Sequence, residues 1–427
     1  MRTTGALICV FVTTFGASGS HLYWSNSSGG VYGVKGNWTP TATPSGNVVH
    51  FELPNTYSVT FDDDYTSLAG WFETGVVRLE LDGHTLTFFD PSDGLPLGSF
   101  FTIGFAALLT DPTLVVTDGV VHSVHTAIHV NGGWQVGSST SHVIVTEGGR
   151  LDMLEDIIVG FSGTDGSLAL LTVVGDGQAH AGDQVRIGKH GAAGGWDGTA
   201  CVSGASALLS ADGEVLVGQS GRLELAGGSC VTAGKEVNVR QYGALIGAGY
   251  IDAPLVLNRG RVEPAIPAIG SSLSLEIDGD FEQEGTGELA TQISAAGHAH
   301  LSISGDVVLD GELEVGVGMY TPAPGSQFRI IDAASVQGAF AITSLPTLSG
   351  CSEFRVVYSC AGEVWLLVRT DLDGDADFDG DVDMADLNIA ISQYQQNGCL
   401  LTGDVNYDGV VDSADINIIV GNFNTSC

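Results

Sequence analysis

The sequence predicts an all-β fold, a right-handed parallel β-helix over residues 20–370, followed by a small all-α module over 371–427. Three observations predict it. Between about 21 and 370 there is almost no helical period, and short Val/Ile/Leu runs alternate with Gly, Ser, Asp and Thr turns. A four-residue apolar pattern recurs there at the spacing of a solenoid coil. Near the C-terminus, one acidic twelve-residue stretch is written twice.

The chain opens on MRTTGALICVFVTTFGASGS, with Arg2, an apolar run Ala6–Phe15, and small residues Ala17, Ser18 and Gly19. This is the pattern of a secretory signal peptide over residues 1–19, too short to span a bilayer. No later stretch could span one, so a secreted, extracellular protein without its own membrane anchor is expected. Removing Cys9 with the signal leaves six cysteines for an oxidising compartment.

The repeat lies in FTIG (101–104), WQVG (134–137), IIVG (157–160), VRIG (185–188), VLVG (215–218) and VNVR (237–240). First and third positions are always apolar, while the second varies: Thr102, Gln135, Ile158, Arg186, Leu216 and Asn238. Such alternation describes strands with one face buried and one free. Gly follows five of the six, where the chain must turn. A coil of this kind buries its apolar row on the next coil, so no coil is stable alone. The competing architecture is a pair of β-sandwiches, which would be antiparallel.

From GALIGAGYIDAP (243–254) onward come the strand pairs GDFEQEGTGEL and SGDVVLDGELEV, then PGSQFRII. These resemble the C-terminal coils of autotransporter-type passenger β-helices, and the opening LYWSNSSGG…GNW resembles the start of secreted proteins of that type. The resemblance covers roughly 21–370. It implies a scaffold or adhesin, with enzymes as a minority.

The doubled stretch is DADFDGDVDMAD (375–386) and, twenty-nine residues later, DVNYDGVVDSAD (404–415). A calcium loop wraps the ion with oxygens from positions 1, 3, 5, 7, 9 and 12 and turns sharply at a Gly in position 6. The first loop offers Asp375, Asp377, Asp379, Asp383 and Asp386, with Gly380 at the turn; the second offers Asp404, Asn406, Asp408, Asp412 and Asp415, with Gly409. Position 7 gives its backbone carbonyl, from Asp381 and Val410. Two Ca²⁺ ions are therefore expected. After each loop, Leu387/Ile391/Tyr394 and Ile416/Val420/Phe423 are spaced as an apolar stripe on a short helix.

Loop plus one helix, with Asp instead of Glu at position 12, resembles a type I dockerin, the duplicated calcium module that attaches extracellular proteins to a cohesin partner. The resemblance covers 371–427 and implies a cohesin-like or other cell-surface partner. Positions 10 and 11, which carry partner choice in that family, are Met384–Ala385 and Ser413–Ala414, so the two faces differ. The basic residues common on the family's recognition helices are missing, since no Lys or Arg follows Arg369.

Net charge is −36, from 50 acidic and 14 basic residues, which repels nucleic acid and anionic membrane. Chemistry is sparse. Asp156, Gln184, Glu214 and Glu236 precede four successive strands and would stack in a ladder near Arg186, either as a sugar or cation groove or as ordinary polar strand ends. His122, His125 and His129 fit no single strand face. His298 and His300 share one but lack a third ligand. FDDDYTS (61–67) reads as a turn. No G-x-S-x-G, H-E-x-x-H or P-loop occurs. Among the cysteines, Cys201 and Cys230 are expected to stack on neighbouring coils, Cys351 and Cys360 to close a hairpin, and Cys399 and Cys427 to close the second calcium repeat. The expected function is a non-catalytic, secreted or cell-surface scaffold attached through its calcium module. The alternatives are a polysaccharide lyase or glycoside hydrolase tethered by that module, and a solenoid merely capped by calcium without a cohesin partner.

Overall fold

The computed structural model describes residues 19–89, 101–103, 111–124, 128–130, 140–160, 168–188, 197–266, 274–358 and 361–427. The chain is mostly β, its strands lying in parallel sheets of the kind a β-helical solenoid has, and the two α-helices among the described residues both fall near the C-terminus. Residues 1–18 of the expected signal peptide lie outside the described residues.

Each coil contributes three strands. Gly149–Met153, Ile157–Val159 and Leu168–Val174 make one coil, and Gln178–Ala181, Val185–Ile187 and Asp197–Ser203 make the next. The pairing between Ile157–Val159 and Val185–Ile187 is parallel, which excludes the sandwich alternative there. Three rows run through the interior: Leu151, Ala179, Leu209 and Val231; Ile157, Val185, Val215 and Val237; and Leu171, Ala200, Leu223 and Leu245. All twelve side chains are fully buried. Period-2 alternation sends every second side chain inward, and parallel register puts like upon like, so the core is a continuous column.

The recurring pattern needs two corrections. Phe101 pairs with Ile128, and Ile128 with Ile157, so the second coil position is Ile128–Val130. The WQVG segment lies outside the described residues. Two apolar alternations stand within ten residues of each other here, and the sequence pattern favoured the one followed by Gly. The second-position face is also not free: Thr102, His129, Ile158, Leu216 and Asn238 are buried as well. Burial on both faces is the usual state of parallel strands. The turn role expected of Gly is seen at Gly160 and Gly188, with φ of +89° and +75°. A Cβ on Gly188 would stand 2.4 Å from the Gly221 nitrogen, so the neighbouring coil also excludes a side chain.

Both ends of the column change character. At the start the filling is aromatic: Phe51 stacks on Phe72 at 4.6 Å, and Trp24 meets Trp38 edge-on at 5.1 Å. Trp38–Thr39 pairs antiparallel with His21–Trp24. At the far end Gln327–Asp332, Glu363–Thr370 and Ser352–Val357 form an antiparallel sheet. Antiparallel strands thus occupy the places where an exposed parallel edge would invite further strand addition.

The cysteine expectations do not hold as stated. Cys351 is bonded to Cys427, which joins the terminal hairpin to the last residue of the chain and excludes a Cys399–Cys427 bridge. Cys399 is also disulfide-bonded, and Cys360 lies outside the described residues. Cys201 and Cys230 are free thiols. Cys201 is paired with Glu224 on one sheet, whereas Cys230 is paired with Leu208 on another. The two cysteines fall out of step because ten positions separate Gly188 from Gly198 but three separate Gly218 from Gly221, the partner of Gly198.

Candidate metal centre

Helix α1 spans Met384–Ser392 and helix α2 spans Ser413–Gly421. Each begins at position 10 of an acidic loop, so positions 9 and 12 are also the N-cap and third residue of the helix. Asp383 and Asp386 form a capping box, and Asp412 and Asp415 repeat it. The loops share one backbone path. Phe378 and Tyr407 at position 4 have φ of +63° and +64°, and Gly380 and Gly409 at position 6 have +97° and +90°.

The two repeats interlock. Position 7 of the first loop, Asp381, bridges to Ser426, and position 7 of the second, Val410, bridges to Asn397. Next to each bridge, Val382 N donates to Thr425 O at 2.9 Å, and Val411 N to Gln396 O at 3.0 Å. Cys427 N donates to Gly380 O and Gly398 N to Gly409 O, at 2.9 and 3.0 Å. Every contact has a counterpart twenty-nine residues away, so each loop is closed by the segment that follows the other repeat's helix.

Within the first loop the carboxylates converge. Asp375, Asp377 and Asp386 each bring an oxygen within 4.8 Å of the others, and Asp381, Asp383 and Asp386 do the same. Asp386 is buried and its two oxygens accept from backbone nitrogens of Ala376, at 2.6 Å, and Asp383, at 2.7 Å. Asp375 is 5% exposed; its Oδ2 accepts from Thr370 Oγ1 and Gly380 N, while its Oδ1 accepts no hydrogen bond. Asp381 Oδ1 is likewise buried and unpartnered. Its side chain joins the cluster, beyond the carbonyl role assigned to position 7. Burial, then Asp386 and Asp379, push the Asp377 carboxyl above its ordinary value.

The second loop is looser. Asn406 donates its side-chain amide to Asp408 Oδ2 at 3.0 Å, where the first loop has a carboxylate. Asp404 is buried and accepts from Asp408 N and Gly409 N at 3.1 and 2.8 Å. Burial raises its carboxyl, partly offset by the Gly409 amide. Asp415 accepts from Asn406 N and Asp412 N. Among the described residues, three-carboxylate convergence occurs in the first loop and not in the second. Buried, unpartnered carboxylate oxygens in an all-oxygen set fit a hard cation of the calcium kind.

The expected helix stripe is displaced. Asp386 and Ala390 are buried in α1, and Asp415 and Ile419 in α2, while Ile391, Tyr394 and Val420 are exposed. The acidic N3 residue must face the loop, and this rotates the buried face by one position. The module also has basic neighbours that lie upstream in sequence. Arg355 and Arg369 stand over the Tyr407 ring at 5.9 and 6.0 Å, and Arg369 pairs with Asp373 at 3.0 Å and with Glu353. Both arginines are on the antiparallel hairpin. Only the pairing of that hairpin brings them to the loops, and no local sequence signal marks them.

The other candidates are mostly held by their neighbours, although Glu214 Oε1 is buried without a hydrogen-bond partner. Arg186 binds Asp156 at 3.2 Å and Gln184 at 2.8 Å. Glu214 is in register with Glu236, and Glu236 accepts from Asn238 at 2.9 Å. The row does stack; Arg186 is held by its first two members, and Arg240 also acts on Glu214. His122 and His129 lie on different strands, and His125 lies outside the described residues. His298 and His300 have ring centroids 6.0 Å apart, and His298 binds the Arg329 carbonyl oxygen at 2.9 Å. Asp62 and Asp63 occupy a turn before strand Tyr65–Ser67. Among the described residues no helix is long and apolar enough to cross a membrane. The sequence matches no protein-family model, and no curated protein is similar to it.

Proposed function

We propose that the chain is a secreted, extracellular scaffold whose right-handed coil stack is non-catalytic and whose C-terminal 371–427 module binds two Ca²⁺ ions and attaches it, dockerin-like, to a cohesin-like or other cell-surface protein. The observation that carries this reading is the paired acidic loops: one backbone path, reciprocal closure and, in the first loop, buried carboxylate oxygens without a donor. In the first loop Asp375, Asp377, Asp379, Asp383 and Asp386 hold the ion with the Asp381 carbonyl. In the second, Asp404, Asn406, Asp408, Asp412 and Asp415 do so with the Val410 carbonyl. The disulfide between Cys351 and Cys427 is in keeping with an oxidising exterior. The paired state of Arg186 favours the scaffold over a polysaccharide-cleaving enzyme.

Calorimetric titration of the full chain with Ca²⁺ tests the module. Two ions should bind, and Asp375→Ala or Asp404→Ala should each remove one. No calcium uptake would overturn the reading. Calcium-dependent capture on immobilised cohesin modules tests the partner, and hydrolysis of neutral or acidic polysaccharides by the chain would overturn the scaffold role.

A further inference from the structure

A second cluster lies at the opposite end of the molecule, on the outer face of the first three coils. Tyr23, His50 and Trp71 stand in register on adjacent parallel strands. Two residues further on, in the same outward row, are Glu52 and Glu73, and the Glu73 nitrogen donates to Phe51 O at 3.0 Å, which stacks one carboxylate over the other. His21 precedes Tyr23 by two positions and faces the same way.

His50 is 3% exposed, although it belongs to the outer face. Its ring is fixed on three sides: Tyr23 stacks on it at 4.5 Å, Trp71 meets it edge-on at 4.8 Å, and His21 Nδ1 lies 2.8 Å from His50 Nε2. The remaining nitrogen, Nδ1, is buried and makes no hydrogen bond, with Glu52 Oε1 3.4 Å away. Ligand atoms of His50, Glu52 and Glu73 all lie within 4.8 Å of one another. Leaving a buried ring nitrogen unpaired is destabilising, and the stacked neighbours prevent it from turning away.

We propose that His50, Glu52 and Glu73 form a site for a borderline divalent transition ion such as Zn²⁺, chemically distinct from the calcium loops. One imidazole and two carboxylates make a three-ligand set of the open type, with a fourth position left for water. Imidazole selects zinc-like ions over calcium, which prefers oxygen alone. His21 is a positioning residue. A hydrogen bond at Nε2 orients the ring and leaves the Nδ1 lone pair toward the carboxylates, as outer partners of metal-bound histidines do. Glu52 is partly exposed, so its side chain can close on an arriving ion.

The test uses the full chain with its acidic loops saturated by Ca²⁺, titrated with Zn²⁺ by calorimetry and with Co²⁺ by fluorescence. One equivalent of Zn²⁺ should bind, and Glu52→Gln/Glu73→Gln should weaken it at least tenfold. Co²⁺ should quench tryptophan emission, and Trp71→Phe should remove most of that quenching. His50→Gln should abolish uptake. Because His50 is buried, its folding is checked by the metal-free melting curve, and the partly exposed carboxylate variants carry the result if it fails. Equal zinc uptake by the wild type and the double glutamine variant, or no uptake by either, would overturn the proposal.

Discussion

The coil stack and the C-terminal module are both built by repetition, but they bury opposite things. Each coil adds Val, Leu and Ile to an apolar column that the coils on either side complete. The module buries only Ala376, Val382, Ala390, Val405, Val411 and Ile419, and beside them Asp375, Asp386, Asp404 and Asp415. An apolar column is stabilising in water without help. Four buried carboxylates are not, unless something positive or hydrogen-bonding meets them. The same device, duplication, thus yields one region packed by apolar contact and another whose buried carboxylates rest on backbone hydrogen bonds.

The sharpest way to separate the two is to remove the cation. Chelation should unfold 371–427 while leaving the coils intact. Hydrogen exchange on the full chain should show lost protection at 375–386 and 404–415 and unchanged protection at 157–159, 185–187 and 215–217. Equal protection of the loops with and without calcium would erase the contrast. The next largest effect is expected within the column. Phe281 is fully buried, and Phe281→Ala should cost about 3–5 kcal/mol in denaturant unfolding of the stack, with calcium affinity unchanged.

Acid should move the two regions in opposite directions. Burial holds His50 and His129 down at about 4, against an ordinary 6.5. The unfolded chain therefore takes up their protons first, and the stability of the column is lost as pH falls from 6.5 toward 4. In the ion-free module, Asp377 and Asp404 are raised above the ordinary 3.8, chiefly by burial. The folded form holds their protons more tightly, so the ion-free module gains stability as pH falls through the raised values. With calcium present the sign reverses, because protons compete with the ion. Thermal melting followed separately by near-ultraviolet and helical signals checks this. The smallest effect is expected at the junction, where Arg369→Met should lower the stability of the calcium-loaded module by about 1 kcal/mol, read as a lowered melting midpoint of its helical signal.

The legible parts of this sequence were those with a short period. Alternation within Val185–Ile187 and the acidic spacing of 375–386, whose carboxylates converge, are both written in consecutive residues. What escaped depends on how many residues a coil takes to return. His50, Glu52 and Glu73 are adjacent only because one turn of the coil separates Val49 from Gly70. Cys201 and Cys230 were misjudged for the same reason, since an insertion before Asp197 shifted the count. Arg355 and Arg369 meet Tyr407 through an antiparallel hairpin that no repeat forecasts.

The reciprocal closure of the two loops also sets an order of events during biosynthesis. The first loop is complete in sequence at Asp386, yet its backbone is held by Asn424, Thr425, Ser426 and Cys427. A ribosome that has delivered residue 386 has therefore made a ligand set that cannot yet close. The coils can begin to stack while the chain is still being extended, whereas the first loop must wait for residues 424–427; the second is held by Gln396, Asn397 and Gly398, which precede it. The second loop should then capture its ion first and the first loop last, after most of the column has already formed.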